Sequence, residues 1–331
     1  MRKFNKQELI QSMDGALKLR GKINEIIDPL FNKGISNICW LGIGGTYASG
    51  MQANIHMKEK SALETFYQNA AEYIVTGNKR ITDKTLVIIS SVTGNTKEMV
   101  EAVKKLNEVG APILGFMDDP KAKLVSSLTY CISYPENEQL KFFMVGDRLM
   151  YLNGEFPDYE DFYQEMEQYF AQDIAEVSVK ADAFAKDFAQ KHHDDAIHYF
   201  VGAGNQWGAT YSYAMCYWEE QHWLKTRAVE AAEFFHGMFE IIDRDTPVTV
   251  YVGEDSQRPL SERVAHFLPE ICGNYTIIDA KDYDLPGISE KYRGTLSPFV
   301  FHAINNRIDI HIEHLNRHPM DIRRYYRALD Y

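Results

Sequence analysis

The stretch NICWLGIGGTYASG, residues 37–50, decides the fold class of this chain. Its mostly apolar first half runs directly into a glycine-rich turn, and a helical pattern then follows to about Lys60. A short buried strand that passes through glycines into a helix is the opening of a βαβ unit, in which parallel strands lie between covering helices. We therefore expect an α/β domain to begin near Ile35.

Short apolar or β-branched runs recur along the rest of the first half. They are LETFY (63–67), TLVIIS (85–90), APILGF (111–116) and LTYCIS (128–133), with a helix expected from about Thr96 to Val109. Such alternation predicts a parallel sheet with helices on both faces. Helical spacing over residues 5–32 adds one or two lead-in helices.

A second copy of this pattern begins near residue 196. The runs are AIHYFVG (196–202), PVTVYVG (247–253) and YTIIDA (275–280), with a helix expected from about Arg258 to Leu268. Gly202 lies 160 residues after Gly42, and EAAE at 230–233 lies 161 residues after NAAE at 69–72. A near-constant offset indicates tandem duplication. We predict two copies of a doubly wound, flavodoxin-like parallel-sheet domain with three αβα layers.

The alternation breaks between about Tyr134 and Lys191. Here NGEFPDYEDFYQEM (153–166) is expected to be a solvated loop and DIAEVSVKADAFAKDFAQ (173–190) an amphipathic helix, so we place the crossing between domains in this part. The predicted limits are a helical lead-in at 1–34, a first domain at 35–150, a helical linker at 151–195, a second domain at 196–318 and a tail at 319–331.

Composition excludes several classes of function. The formal net charge is −12 and no basic block occurs, which argues against a nucleic-acid partner. No run approaches the ~20 apolar residues of a membrane span, and the start MRKFNKQELI lacks a signal-peptide core, so we expect a cytoplasmic protein without a membrane partner. The cysteines, at positions 39, 131, 216 and 272, form no C-x-x-C pair and are expected to be reduced thiols.

Two loops carry groups suited to a small anion. In GIGGT (42–46) the backbone N–H groups of a helix N-terminus become accessible around Gly44, Gly45 and Thr46. In SSVTGNT (90–96) the relevant groups belong to Ser91, Thr93, Gly94, Asn95 and Thr96. An ordinary helix cap made by Thr96 with support from Glu98 explains the second loop equally well. Two such loops at carboxyl ends of parallel strands favour a ligand site.

Neither loop fits a nucleotide. After Gly42-x-Gly44 the dinucleotide fingerprint needs a further glycine where Tyr47 stands, and no G-x-x-x-x-G-K-[ST] string occurs.

Two histidine groups could suggest a metal. His192–Asp195 (HHDD) is better explained as a polar turn. His311, His314 and His318, on one face of a helix expected from about Pro298 to His318, are better explained as an interfacial or solvated face. We predict no metal and no other cofactor.

The segment WGATYSYAMCYWEEQHWLKTRAVEAAEFFH, residues 207–236, carries the titratable groups. A long apolar-aromatic helix is expected to end on Glu219 and Glu220, followed by a connection at 226–229 and by His236 shortly after Glu233. Because 16 residues separate Glu220 from His236, only tertiary folding or a partner subunit could join them. A carboxylate whose pKa is raised by apolar surroundings and a histidine would supply a base and an acid near neutral pH.

Each of these groups also has a structural explanation. Glu220 could be a solvated helix end and His236 a surface histidine. Trp218 and Trp223 could form the apolar pocket of Glu220, or simply pack in the core. The combination of the carboxylate and the histidine, with Glu233 available to orient the latter, favours a catalytic role.

These motifs resemble a known family. LGIGGTYASG followed by SSVTGNTKE resembles the signature of the sugar isomerase (SIS) domain, and the duplicated arrangement is similar to the isomerase half of glucosamine-6-phosphate synthase. EEQHWLKTRAVEAAEFFHG and HPMDIRRYYRALDY resemble the fructosamine deglycases, from about Ile35 to Tyr331. The resemblance implies a homodimer that hydrolyses a 6-phosphorylated fructosamine, such as fructoselysine 6-phosphate, to an aldose 6-phosphate and a free amine.

The resemblance also implies residue roles. The hydroxyls of Thr46, Ser91, Thr93 and Thr96 match phosphate-binding positions. Glu220 matches the proton-shuttling carboxylate and His236 a histidine that assists ring opening, often from the partner subunit. Counting from Gly202 selects Glu219 as the base, whereas counting back from His236 selects Glu220, which we prefer. The synthase has a lysine in its tail, and here Arg323, Arg324 or Arg327 is the alternative contact.

Other activities stay open at this point. A glucosamine-6-phosphate deaminase or an aldose–ketose phosphosugar isomerase would use the same groups. A sugar-phosphate sensor without catalytic activity is the third alternative.

Overall fold

The computed structural model describes residues 1–326, 328 and 329, and the chain divides into two units. The first unit comprises residues 7–171, and the second comprises residues 1–6 together with 172–331. Each unit is built on its own parallel sheet. This confirms the predicted fold class; the finer domain limits remain predictions.

The first unit alternates helices and strands. In chain order its elements are α1 (Lys6–Leu17), α2 (Arg20–Asn32), β1 (Asn37–Gly42), α3 (Gly45–Lys58), β2 (Thr65–Asn69), α4 (Ala70–Thr76), β3 (Thr85–Ser91), α5 (Lys97–Val109), β4 (Ile113–Met117), a 3-10 turn (Lys123–Ser127), β5 (Tyr130–Ser133), α6 (Glu138–Leu152), α7 (Tyr159–Glu165) and a π-helical turn (Met166–Phe170).

The first sheet has the order β2-β1-β3-β4-β5, with every pair parallel. Both β1 and β3 are buried along their whole length, because helices cover both faces of the sheet. The chain leaves β1 toward β2 on one side and then returns to β3 on the other side. That reversal places the topological switch point, where open α/β sheets bind ligands, between the carboxyl ends of β1 and β3.

The second unit repeats this plan with changes. Its elements are α8 (Ala171–His192), β6 (His198–Gly202), α9 (Asn205–Ser212), a π-helix (Tyr213–His222), β7 (Thr226–Glu230), two 3-10 turns (Ala231–Glu233 and Met238–Ile241), β8 (Val248–Val252), α10 (Arg258–Ile271), β9 (Tyr275–Asp279), a 3-10 turn (Ala280–Asp282) and α11 (Glu290–Asn316).

The second sheet has the order β7-β6-β8-β9, again fully parallel. This order equals the first four positions of the first sheet, in agreement with the predicted duplication. One face packs Phe200 against Trp218 of the π-helix, with 4.9 Å between ring centroids. The other face packs Val201 and Val250 with Phe234 and with Leu268 of α10. Within the described part of the chain, no helix has the length and apolar character that a membrane span requires.

Three local expectations were wrong. The connection expected at 226–229 is strand β7, in which Thr226 pairs with His198 and Glu230 with Gly202. The loop expected at 153–166 contains helix α7, because Tyr159, Phe162, Tyr163 and Met166 follow helical spacing and are buried. The last helix begins at Glu290 and includes Pro298 in its interior.

The helix of the 207–236 segment is not α-helical throughout. From Tyr213 to His222 it continues as a π-helix, and it ends at Trp223, whose φ of 59° lies in the left-handed region. The Leu224 N–H then donates to the Trp218 carbonyl at 2.9 Å. Extended π-helical structure is rare in proteins and is frequent at functional sites.

The polar turn before β6 is a buried hydrogen-bonded triad. Asp195 Oδ2 accepts from His192 Nδ1 at 2.7 Å and from His198 Nδ1 at 2.8 Å, while His198 Nε2 pairs with Thr249 Oγ1 at 2.8 Å. Burial lowers the pKa of His198 to about 4, although the hydrogen bond that His198 donates to Asp195 acts in the opposite direction. Burial alone would raise the pKa of Asp195, but the two histidine hydrogen bonds outweigh it and lower that pKa to about 2.

We predict that this triad makes the stability of the chain sensitive to pH between 6.5 and 4. Unfolded His198 takes up a proton near pH 6.5, whereas the folded group does so only near pH 4. Its contribution is therefore complete above pH 6.5 and falls by about 2 kcal/mol between pH 7 and pH 5. Urea unfolding of His198→Gln should lose most of this dependence, whereas His314→Gln, at an exposed position, should retain it. Equal pH slopes for the wild type and His198→Gln would contradict the assignment.

Candidate active site

The glycine-rich loop of the first unit forms a tight turn between β1 and α3. Gly44 has a φ of 61°, and a Cβ at Gly42 would lie 2.6 Å from the backbone of Thr46. The Thr46 hydroxyl accepts from the Ile43 N–H at 3.1 Å and donates to the Ile43 carbonyl at 3.0 Å. Thr46 therefore closes the loop itself, while Gly44 and Gly45 give the approach to the start of α3.

The hydroxyl-rich loop follows β3. Ser91 is buried, and its Oγ accepts from the Gly94 N–H at 2.9 Å. Thr93 and Asn95 are exposed. Thr96 occupies the N-cap position of α5, yet its side chain makes no capping hydrogen bond. The alternative in which Thr96 simply caps this helix is therefore not what the structure shows. The anion site at this loop stays a prediction.

The two loops are neighbours at the switch point of the first sheet. They follow β1 and β3, which pair directly in register from Asn37↔Thr85 to Trp40↔Ile88. Each loop leads into the N-terminus of a helix, α3 or α5. Helix N-termini present N–H groups and partial positive charge, so this edge of the sheet suits a phosphate.

A further carboxyl, which no sequence motif indicated, contacts the elements that flank these loops. Glu138, at the start of α6, hydrogen-bonds with Ser49 of α3 and Ser90 of β3. Burial raises the pKa of Glu138, with the two serines opposing that shift. This carboxyl is therefore easier to protonate than a solvated glutamate.

The segment that delivers Glu138 is strained. Glu136 and Asn137 have φ values of 57° and 51°, and each non-glycine residue in this region costs on the order of 1–3 kcal/mol. The available sequence signal was the polar PENE string directly after a strand, at the carboxyl end where ligands bind.

In the second unit, the π-helix carries both candidate bases. Glu219 Oε1 accepts from Thr226 Oγ1 at 2.9 Å, which ties this carboxylate to the start of β7. Glu220 Oε1 instead accepts from Arg323 Nε at 2.7 Å. The side chain of Glu220 is 43% exposed and that of Arg323 is 23% exposed, so this pair is of the weak, solvent-screened kind.

The tail packs against the end of the same helix. The Arg324 guanidinium lies 4.1 Å from the centroid of the Trp223 ring, and the His318 ring lies 4.1 Å from the same ring. Trp218 is fully buried beside His198 and Phe200, so its role is core packing. Of the three tail arginines named from the sequence, Arg323 contacts Glu220, Arg324 contacts Trp223, and Arg327 lies outside the described residues.

His236 lies on the other side of the second sheet. It follows Phe234, which packs in the core with Leu268 of α10, whereas Glu220 belongs to the helix that covers the opposite face. Both His236 and Glu233 are exposed, and the contact between them is a backbone hydrogen bond, from the His236 N–H to the Glu233 carbonyl at 2.9 Å. The fold of this unit thus places Glu220 and His236 on opposite faces of one sheet.

The remaining histidines occupy different surroundings. His311 is buried and pairs with Asp182 at 3.1 Å, His314 is exposed, and His318 packs on Trp223. These three histidines were expected to form one interfacial or solvated face, but their surroundings differ. The side chains of His192, Asp195 and His198 lie close enough for one metal ion. Their separations of 2.7 and 2.8 Å are hydrogen-bond distances, and a metal would have to replace both Nδ1 protons.

Comparison with known proteins agrees with the predicted family. Residues 32–146 match the SIS domain family. The chain is 27% identical over 325 residues to fructosamine deglycase FrlB of Bacillus subtilis, covering 95% of this chain and 98% of that protein. It is 21% identical over 316 residues to the fructoselysine 6-phosphate deglycase of Escherichia coli, covering 93% and 90% respectively.

Solved structures show the same fold. A candidate phosphosugar isomerase from Bacillus subtilis superimposes with a TM-score of 0.86 at 24% identity, covering 98% of this chain and all of the other. The C-terminal domain of glucosamine-fructose-6-phosphate aminotransferase from Francisella tularensis gives a TM-score of 0.79 at 14% identity, with 96% of each chain covered. The relatives that match more than nine tenths of this chain are named as enzymes, as predicted. Residues 32–146 are therefore similar to the SIS domain family, and nearly the whole chain is similar to proteins named as deglycases.

Proposed function

We propose that this protein is a deglycase that hydrolyses a 6-phosphorylated fructosamine to an aldose 6-phosphate and a free amine. The observation that carries the proposal is the pair of adjacent anion-type loops in a SIS domain, within a chain that matches named deglycases over nearly its whole length. The 6-phosphate is assigned to these loops.

The chemistry needs one base and one acid. The substrate has nitrogen on C1 and a carbonyl at C2. Glu220 removes a proton from C1 to give an enaminol, and protonation at C2 then yields the imine of the aldose. Water adds to C1 of the imine, and the C1–N bond breaks to release the amine. Atoms balance with one water consumed, and this scheme requires neither a metal nor a nucleotide.

The contacts of the two glutamates support Glu220 as the base. Glu219 is held by the hydroxyl of Thr226 at the first residue of β7. Glu220 is itself 43% exposed and is held by the half-buried guanidinium of Arg323, a partner that a substrate can displace at small cost. On this assignment, Arg323 would contact polar groups of the bound substrate. The neighbouring Arg324 packs on the Trp223 ring and so anchors this part of the tail.

The acid is proposed to come from a second copy of the chain. Glu220 and His236 are carried on opposite faces of the second sheet, so one copy does not pair them. In a two-fold dimer, both subunits use the same surface patch for the contact. A site shared between the subunits would therefore occur twice in each dimer. His236 is exposed and makes no side-chain hydrogen bond within the described residues, which leaves it available for this role.

We predict that Glu220→Gln lowers kcat by roughly 10²- to 10⁴-fold on fructoselysine 6-phosphate, because it removes the proton-transfer group. Product is measured as glucose 6-phosphate. Glu219→Gln is the matched control and should stay within a few-fold of the wild type. A larger loss of kcat in Glu219→Gln than in Glu220→Gln would assign the base to Glu219.

The same assays distinguish the alternative functions. Release of ammonia from glucosamine 6-phosphate, with no turnover of any fructosamine phosphate, would support the deaminase alternative. Binding of a sugar phosphate without any turnover would support a sensor.

Mixing two inactive variants tests the shared site. Glu220→Gln and His236→Ala should each be inactive alone. After joint unfolding and refolding, mixed dimers would each contain one intact site, so activity should return to about a quarter of the wild-type value. If the mixture stays inactive while native mass spectrometry shows dimers that contain one chain of each variant, Glu220 and His236 do not act across subunits.

We predict that Thr96→Val raises KM about 10-fold or more and leaves kcat within a few-fold. A hydrogen bond to a charged phosphate is worth about 1.5–3 kcal/mol, and no capping bond is lost. Inhibition by inorganic phosphate should weaken in parallel. The control is Thr76→Val, whose hydroxyl donates to the Glu72 carbonyl far along the chain from either loop. An unchanged KM in Thr96→Val would remove Thr96 from the phosphate site.

A further inference from the structure

The π-helix that carries Glu220 is fixed at both ends by one buried aspartate. Tyr213 and His222 are its first and last residues. The Tyr213 hydroxyl donates to Asp309 Oδ1 at 3.0 Å, and His222 Nε2 lies 3.0 Å from the same oxygen. The Asp309 side chain, on α11, is 2% exposed and that of His222 is fully buried. A single carboxylate oxygen thus contacts the first and the last residue of the ten-residue π-helix.

The first unit contains a corresponding pair. His56 Nε2 lies 2.6 Å from Asp147 Oδ1, and the Tyr163 hydroxyl donates to Asp147 Oδ2 at 2.7 Å. In each unit the histidine sits on the helix after the first strand, and the aspartate sits on the helix after the last strand. In the first unit this helix is α-helical, and its tyrosine comes from α7 instead of the same helix.

The second pair is less well satisfied than the first. Asp147 uses both of its oxygens, whereas Asp309 Oδ2 is buried and has no hydrogen-bond partner among the described residues. A buried carboxylate oxygen without a partner costs stability. Burial also raises the pKa of Asp309, against the opposing effect of His222 and Tyr213. The arrangement of Asp309 therefore favours geometry at the expense of stability.

That geometry determines where Glu220 points. Glu220 lies two residues before His222, inside the segment between the two contacts with Asp309. If the segment relaxed to α-helical spacing, every residue after Tyr213 would rotate about the helix axis, because each α-helical residue turns about 100° and a π-helical residue turns less. The carboxylate of Glu220 would then leave its position opposite Arg323.

We propose that Asp309 is a positioning residue that, through Tyr213 and His222, holds the π-helical register and so directs Glu220 toward the substrate. The inference rests on the proposed role of Glu220 as the base. It gives Asp309 a function that the similar pair in the first unit does not have, because Asp147 has no candidate base within its clamped segment.

The test compares Asp309→Asn with Asp147→Asn in the full chain. Both replacements weaken a buried His–Asp contact, so thermal unfolding should shift downward in both. Only Asp309→Asn should lower kcat, by about 10- to 100-fold, with KM for fructoselysine 6-phosphate changed less than 3-fold. Tyr213→Phe, which removes one hydroxyl, is the milder variant if Asp309→Asn does not fold, and it should lower kcat about 3- to 10-fold. An unchanged kcat in the folded Asp309 or Tyr213 variant, or an equal kcat loss in Asp147→Asn, would overturn the inference.

A second measurement does not depend on the substrate. Amide hydrogen exchange over residues 213–222 should accelerate in Asp309→Asn and stay at the wild-type rate in Asp147→Asn. If the wild type turns over no fructosamine phosphate, the proposed function fails, and exchange alone then decides whether Asp309 holds the helix. Unchanged exchange in Asp309→Asn would overturn the clamp whatever the substrate is.

Discussion

The pairing of β1 with β2 on one side and β3 on the other is the constraint on which the first unit depends. Parallel strands must be joined by crossovers. The first crossover leads from β1 to β2 on one side, and the next leads back to β3 on the other side. The covering helices therefore separate above the carboxyl end of β1. The crevice exists because of this order, whatever the side chains are. Gly42, Gly44 and Gly45 let the backbone turn there, and the Ser91–Thr96 segment supplies hydroxyls at the adjacent strand end. The proposed anion site thus depends on the topology of the sheet.

The second unit keeps the strand order and changes the helices. The crossing from β7 to β8 uses short 3-10 turns, and the helix after β6 becomes π-helical beyond Ser212. Both changes fall in the segment that carries the titratable residues, Glu220 and His236. A duplicated fold can tolerate this because the parallel ladder and its two apolar faces provide most of the packing. Departures from regular helix are then concentrated in the segment that carries the proposed acid and base.

Sequence patterns predicted the elements whose burial is regular. The strands at 85–91 and 248–252 are buried on both faces and read as continuous apolar runs. Strand β7, TRAVE, is an edge strand with polar residues, so its pattern did not separate it from a loop. The π-helix could not be predicted, because Asp309 is 87 residues from His222 in sequence and their contact is tertiary. Glu138 was missed for the same reason, since its partners lie on α3 and β3.

The two contacts that hold the Glu220 segment differ in strength and therefore in use. Arg323 meets Glu220 at the surface, where an ion pair contributes about 0–1 kcal/mol, so it can open at little cost when a substrate arrives. Asp309 meets Tyr213 and His222 in the core, where breaking a contact leaves polar groups unpaired and is expensive. The proposed role of Glu220 as the base needs a backbone that stays in place and a carboxylate that can change partners. Placing the strong contact on the helix ends and the weak one on the carboxylate provides both.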